Sequence, residues 1–254
     1  MKLKNLILTF GKAKINTLIK YPSILTLHKM AEKGKLSQEL TTDLVGEKMY
    51  ATEKIDGTNV RLIRLGKELL IGSREFILHY DGEMFFDPAQ HIVEGIKNLA
   101  LNIPETDVLT VFYGEFYGGK TGANAKQYGT DKVDFRLFDV AKFDDLSILE
   151  QDLDLISRWR ETETPEGMRY GQPFLPKNEF EKYATYFELA PQIAFDLENF
   201  THKNILKQLH TFLPETKVAL SELALKRPEG VIFRNENRSK IVKLRFEDYE
   251  RTLR

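Results

Sequence analysis

Lys54 stands in the run Glu53-Lys54-Ile55-Asp56-Gly57-Thr58-Asn59, a lysine followed by an acid, a glycine and small polar residues. Such a turn can aim an amine at a phosphate. Glycine allows close backbone approach, and Thr58 and Asn59 can hydrogen-bond oxygens. A lysine amine is mostly protonated near neutral pH. To act as a nucleophile it needs its pKa lowered, which nearby cations can do. The same residues also suit an exposed turn, since charges beside Asp-Gly often mark one.

A second segment, Val111-Phe-Tyr-Gly-Glu115-Phe-Tyr-Gly-Gly119, sets a carboxylate within an apolar strand. Strand alternation gives Glu115 the face of Val111 and Tyr113. A buried acid needs a partner, and a sugar hydroxyl would serve; a solvated edge strand is the other reading. In Ile241-Val-Lys-Leu-Arg-Phe246 the same period puts Val242, Leu244 and Phe246 on one face and Lys243 and Arg245 on the other. Two adjacent cations suit a polyphosphate, although a solvated basic face would look alike. Glu229 precedes the run Gly230–Arg234, where its oxygens suit a hard divalent cation. Gly72-Ser73-Arg74 places an arginine after a short strand, where it could pair with a phosphate.

Strands must carry most of these groups. From Tyr50 to Val140 short apolar runs alternate with glycine turns, as in Asn59–Arg64, Glu68–Ile71, Val108–Tyr113 and Phe135–Phe138. Leu146, Leu149, Leu153 and Ile156 then predict one helix, with Asp144 or Asp145 as its cap. Thr164–Gly167 reads as a turn. Phe180, Tyr183 and Phe187 predict a helix ending before Pro191, and Ile205, Leu209 and Phe212 a third. Strands return at Gly230–Arg234 and Lys240–Phe246. The order is α+β, without the alternation of a doubly wound sheet.

The 254 residues, 42% of them hydrophobic, suffice for a substantial core. With 37 basic and 38 acidic side chains the net charge is −1, so no global positive field draws in nucleic acid. Binding would need a local patch, and Lys226, Arg227, Arg234, Arg238 and Lys240 form the candidate strip. The absence of cysteine excludes disulfides, thiol nucleophiles and cysteine zinc sites, and the histidines show no zinc spacing. No apolar run has signal-peptide or membrane-spanning length, so the expectation is a soluble cytoplasmic protein with no membrane partner.

Taken in order, these segments resemble the covalent nucleotidyltransferase superfamily of ligases and mRNA capping enzymes. Lys54-Ile-Asp-Gly-Thr-Asn59 is similar to its first motif, Glu115 falls in a segment like the third, Asp134–Val140 looks like the strand after it, Glu229–Arg234 resembles the fourth and Val242–Arg245 the fifth. Within the superfamily, Tyr113–Lys120, Gln127-Tyr-Gly129 and Phe135–Asp139 are most similar to the phage-type, double-strand nick-sealing RNA ligases. The resemblance implies an adenylation domain of antiparallel sheets flanked by helices, and an ATP-dependent RNA ligase. Lys54 would be the nucleophile that forms lysyl-AMP. Glu53 would contact the adenine amino group, Phe138 would stack on adenine, Glu115 would hold the ribose, and Asn59 and Arg74 would face the donor phosphate end. Ile55, Glu229, Lys243 and Arg245 complete the nucleotide site, with Glu229 the metal-side carboxylate. ATP and Mg2+ or Mn2+ are the implied cofactors. The implied partner is RNA with 5′-phosphate and 3′-hydroxyl ends, nicked duplex among the candidates. Arg245 departs from the lysine usual in the fifth motif, and arginine is a planar fork rather than a point charge.

The expected organisation is an N-terminal segment, 1–49, packed on a catalytic domain, 50–254, with no C-terminal OB or accessory domain. That leaves room for a protein partner that grips substrate or heals ends. A DNA ligase, a capping-type enzyme, a partner-dependent AMP transferase and an inactive nucleic-acid-binding module of the same fold remain as alternatives.

Overall fold

Twelve strands and seven α-helices build the described chain. The computed structural model describes residues 2–44, 48–80, 83–84, 91–161, 173–195, 202 and 204–253. Helices α1 (Leu3–Phe10) and α2 (Lys12–Leu18) lead into β1 (His28–Met30) and β2 (Leu36–Leu40). There follow β3 (Met49–Lys54), β4 (Thr58–Gly66), β5 (Glu68–Ser73), β6 (Ile77–Tyr80), β7 (Glu83–Met84) and α3 (Ile92–Leu101). Two long strands come next, β8 (Thr106–Gly118) and β9 (Val133–Phe143), then α4 (Leu153–Glu161), α5 (Lys177–Phe180) and β10 (Gln192–Ile193). The described chain closes with α6 (Ile205–Phe212), β11 (Gly230–Asn235), β12 (Ile241–Arg245) and α7 (Phe246–Leu253).

The fold is α+β. A six-stranded sheet runs β7-β6-β5-β4-β8-β9, a four-stranded sheet runs β10-β3-β11-β12, and β1 pairs with β2. Pairing within these sheets is antiparallel. Alternation gives the large sheet two buried faces. Val60, Leu62, Phe112 and Phe116 pack with Ile92 and Ile96 of α3 on one side. Ile63, Val111 and Tyr113 pack with Leu3, Leu6, Ile15 and Leu18 of the first two helices on the other. The smaller sheet buries Val231, Phe233, Val242 and Leu244 against α6 and α7.

The β8–β9 ladder contains one irregularity that matters for the site. Tyr113 faces Asp139 and Gly114 faces Leu137, which leaves Phe138 as an extra residue. Such a bulge bends a strand and re-aims a side chain. The freed Phe138 carbonyl accepts a hydrogen bond from Arg234 Nη1 at 2.7 Å.

The apolar period over 146–156 does not become one helix. A 3₁₀ turn covers Ser147–Glu150, and α4 starts afresh at Leu153. Asp152 divides them: its Oδ1 accepts from the Leu155 N–H at 2.7 Å and so caps α4. Asp145 Oδ1 accepts from the Ser147 N–H at 2.8 Å, two residues on, and leads into the 3₁₀ turn. Likewise α5 stops at Phe180, a 3₁₀ turn continues to Thr185, and Phe187 enters the core beyond it. The helix expected around Leu209 forms as read, whereas Phe246 opens α7 instead of closing a strand. Thr164–Gly167 lies outside the described residues. Among the described residues no helix is long and apolar enough to cross a membrane.

His28 links the first hairpin to α7. Its Nδ1 lies 2.7 Å from the Tyr249 hydroxyl, and the His202 ring stands 5.0 Å away. Burial, followed by the neighbouring His202, pushes His28 down from 6.5 to about 4. The folded chain keeps this ring neutral while the unfolded chain protonates it. Its contribution is therefore present above pH 6.5 and is lost as pH falls towards 4, by about 3 kcal/mol at most. We expect Tm to fall less steeply in His28→Gln than in the wild type between these limits. Parallel Tm–pH curves would count against this role.

Candidate active site

The turn that follows β3 is shaped by what lies beneath it. A Cβ on Gly57 would sit 2.3 Å from the Phe116 carbonyl oxygen, so only glycine lets the turn press on β8. Two backbone donors fix it there. The Asp56 N–H donates to the Tyr128 hydroxyl at 2.6 Å, and the Gly57 N–H donates to Glu115 Oε1 at 3.0 Å. Lys54, the last residue of β3, pairs with Gly230, the first of β11. Glu229 consequently lies beside it, and the Lys54 amine donates to Glu229 Oε2 at 2.6 Å.

Register brings in the rest. In the large sheet Asn59 faces Glu115 across β4–β8. In the small sheet Lys243 faces Ile232 and Arg245 faces Gly230. Val242, Leu244 and Phe246 occupy the core behind them, as alternation requires. The bulge supplies Phe138. One cavity of about 460 Å³ is lined by Lys54, Glu53, Ile55, Asn59, Arg74, Glu115, Phe138, Glu229, Lys243 and Arg245 together. Its volume is in the range of sites for small ligands.

Buried charge governs this cavity. Burial raises Glu115 to about 8, Lys54 pulls it back and Glu229 adds to the rise. Burial also raises Glu229, against the attraction of Lys54. Lys243 is lowered by burial first, then by the cations of Arg245 and Lys54. Arg245 donates from Nε and Nη2 to the two oxygens of Asp248, each at 2.8 Å. Its fork thus ties β12 to α7, while Lys243 stands beside it in the wall. The Asn59 side-chain oxygen is buried with no hydrogen-bond partner among the described residues, an acceptor left for a ligand. Arg74 is at the rim, its side chain 64% exposed. Both Glu53 oxygens are occupied, one by the Thr216 hydroxyl and one by the Lys217 N–H at 2.8 Å.

The Glu115 shift yields a prediction. A carboxyl raised to about 8 favours the fold fully only below its unfolded value of 4.5, and this contribution disappears as pH rises through 8. Glu115→Gln removes the ionisation. Its Tm at pH 9 should exceed that of the wild type by several degrees, since the linkage of this shift amounts to about 5 kcal/mol at most, with no gain at pH 4. An equal Tm at both pH values would refute the shift.

The sequence profile of the RNA ligase family matches residues 47–246. This chain belongs to the RNA ligase family. Among solved structures it is similar to Naegleria gruberi RNA ligase with PPi, at 18% identity and a TM-score of 0.50, covering 92% of this chain and 58% of that one. A variant of that ligase with ATP and Mn matches at 18% identity and a TM-score of 0.49, covering 95% and 63%. The first likeness confirms the fold. The chain spans about three-fifths of the length of these structures. No curated protein matches it.

Two readings need correction or addition for this member of the RNA ligase family. Two members of the basic strip are not at the surface. Arg234 and Arg238 are buried, at 2% and 4% exposure. Arg238 Nε donates to Asp139 Oδ2 at 2.7 Å, and Arg234 Nη1 lies 3.5 Å from the same oxygen. Arg227 pairs with Glu250, and the Lys240 amine donates to the Asp43 carbonyl at 2.7 Å. Internal ion pairing accounts for Arg234 and Arg238, and an exposed pair for Arg227. Secondly, Tyr21, Pro22, Ser23 and Ile24 line the cavity from outside the profile match, as do Thr52 and Arg234 from within it. Nothing in the spacing of the first four marks them. Only the packing of the N-terminal helices on the large sheet brings them there.

Proposed function

We propose that the chain is an ATP-dependent RNA ligase that joins 5′-phosphate and 3′-hydroxyl ends through lysyl-AMP on Lys54. The observation that carries this reading is the convergence on one cavity of an amine, two cations, two raised carboxyls and an aromatic ring. The Naegleria ligase of similar fold carries PPi in its structure, in line with a step that releases pyrophosphate here.

In the first step the Lys54 nitrogen bonds to the α-phosphorus of ATP as the bond to pyrophosphate breaks. The amine must lose a proton, and Glu229, 2.6 Å away, is the nearest base. Lys243 and Arg245 stabilise the charge that builds on the phosphate oxygens. Phe138 stacks on adenine and Glu115 takes a ribose hydroxyl; a carboxyl held near 8 can also donate a hydrogen bond at neutral pH. AMP then passes to the 5′-phosphate of the polynucleotide, held by Asn59 and Arg74. Finally a 3′-hydroxyl oxygen bonds to that phosphorus and AMP leaves.

A divalent ion fits the site only if the nucleotide supplies most of its ligands. Among the described residues no group of three or more His, Asp or Glu could hold a metal. Glu229 is the protein's candidate ligand, and phosphate oxygens and water would fill the rest, a common mode for magnesium. Such an ion would neutralise phosphate charge.

The test is an intact mass after incubation with Mg2+ and ATP or GTP. An AMP adduct from ATP alone is expected. A GTP-only adduct would move the chain to capping chemistry, and no adduct from folded, unmodified protein would favour a binding module. Nicked RNA and nicked DNA duplexes then decide the strand.

A further inference from the structure

Arg61 of β4 is wholly buried. Every hydrogen bond it makes among the described residues goes to a neutral oxygen. Nε donates to the Ser73 carbonyl at 2.7 Å, Nη1 to the Asn16 carbonyl at 3.2 Å, and Nη2 to Asn16 Oδ1 at 2.9 Å and the Phe76 carbonyl at 3.3 Å. A buried cation hydrogen-bonded to no carboxylate, with Glu75 acting on it through charge alone, is a costly way to fill a core position. What it gains is geometric, since Ser73 and Phe76 bracket Arg74.

The bracket is closed from the other side by α2 and the residues after it. Asn16 Nδ2 donates to the Glu75 carbonyl at 2.8 Å, and the Lys20 amine to Glu75 Oε2 at 2.6 Å. Within the turn the Ser73 N–H donates to the Phe76 carbonyl at 2.8 Å. A Cβ on Gly72 would come within 3.1 Å of Arg61 Nη2, so the guanidinium lies directly against the turn. Ser73, Glu75 and Phe76 are thereby fixed, and the Arg74 side chain projects at the cavity rim.

We propose that Arg61 and Asn16 are positioning residues for Arg74, clamping the 73–76 turn so that its guanidinium meets the 5′-phosphate of the polynucleotide. The clamp rests on the ligase reading above. It makes the N-terminal helix part of the substrate machinery, although this helix precedes the residues matched by the family profile.

The test measures single-turnover joining of a nicked duplex by Asn16→Ala, Arg61→Lys and Arg74→Ala, with both double variants. Arg61→Lys keeps the charge and loses the fork. Each clamp variant should lower joining about tenfold, as expected for a group displaced by a fraction of an ångström to an ångström. That loss should vanish in the Arg74→Ala background, because residues acting through one group are not additive. If Arg61→Lys fails to fold, Asn16→Ala, at the protein's edge, decides alone. Joining at the wild-type rate overturns the clamp, as does a loss that persists undiminished without Arg74. A wild type that forms no adduct and joins no strand overturns the ligase reading, and the clamp with it.

Discussion

Lys54→Ala should form no covalent nucleotide adduct, yet still join a strand that already carries AMP on its 5′ end. The nitrogen is the only atom that this substitution removes from the first step, and a missing nucleophile costs on the order of 10⁴-fold or more. In the proposed mechanism the joining step uses Lys243, Arg245, Asn59 and Arg74, which the substitution leaves in place. Glu229 loses its cationic neighbour at 2.6 Å, so its carboxyl should rise further. Adduct formation is read by mass and joining by gel, with an unchanged Tm as the folding control. An adduct in Lys54→Ala would place the nucleophile elsewhere. Loss of both reactions from folded protein would mean that Lys54 does more than carry AMP.

The largest effect on stability is expected at Asp139. This carboxylate is 1% exposed. It accepts from Arg238 at 2.7 Å and from the Tyr21 hydroxyl at 2.8 Å, with Arg234 at 3.5 Å. The Arg238 guanidinium also lies 3.6 Å from the centre of the Phe174 ring. Asp139→Asn preserves shape and removes the charge, leaving two buried guanidinium groups without an anion. Breaking such a pair from one side costs about 3–5 kcal/mol, and Tm should fall by roughly 6–20 °C. Arg227→Ala breaks an exposed pair with Glu250 and should cost under about 1 kcal/mol. Similar melting of the two variants would show that the internal cluster carries little stability.

Much of the site was legible because its residues sit at strand ends, where local patterns speak. Alternation alone put Lys243 and Arg245 on one face and Val242 and Leu244 on the other, and the structure keeps that division. Glycine at 57 announced a tight turn beside Lys54, and Phe116 is what the turn presses on. Charge was a poorer guide. Arg234 and Arg238 read as a basic surface, since residue type says nothing of a carboxylate from a strand about a hundred positions earlier. Nor could spacing reveal that Thr216 and Lys217 reach Glu53, or that Tyr128 holds the Asp56 amide. The divided helix after β9 was missed for a local reason. Its apolar period runs on unbroken, and the interruption comes from the side chain of Asp152.

The extra residue in β9 has a consequence for how this strand can change. Before it, the odd-numbered Phe135 and Leu137 face the layer of α3; after it, the even-numbered Val140 does, and the odd-numbered Ala141 and Phe143 face the N-terminal helices. The bulge works as a frameshift in side-chain parity. Replacing the ring at 138 alters one contact surface and keeps the frame. Deleting the residue would restore a regular ladder, with Leu137 against Gly114 and Asp139 against Tyr113, and would leave every other side chain on its own face. At this position the loss of a single codon costs the ring in the cavity wall and spares both cores, whereas the same loss at a paired position of β9 would send one half of the strand to the wrong layer.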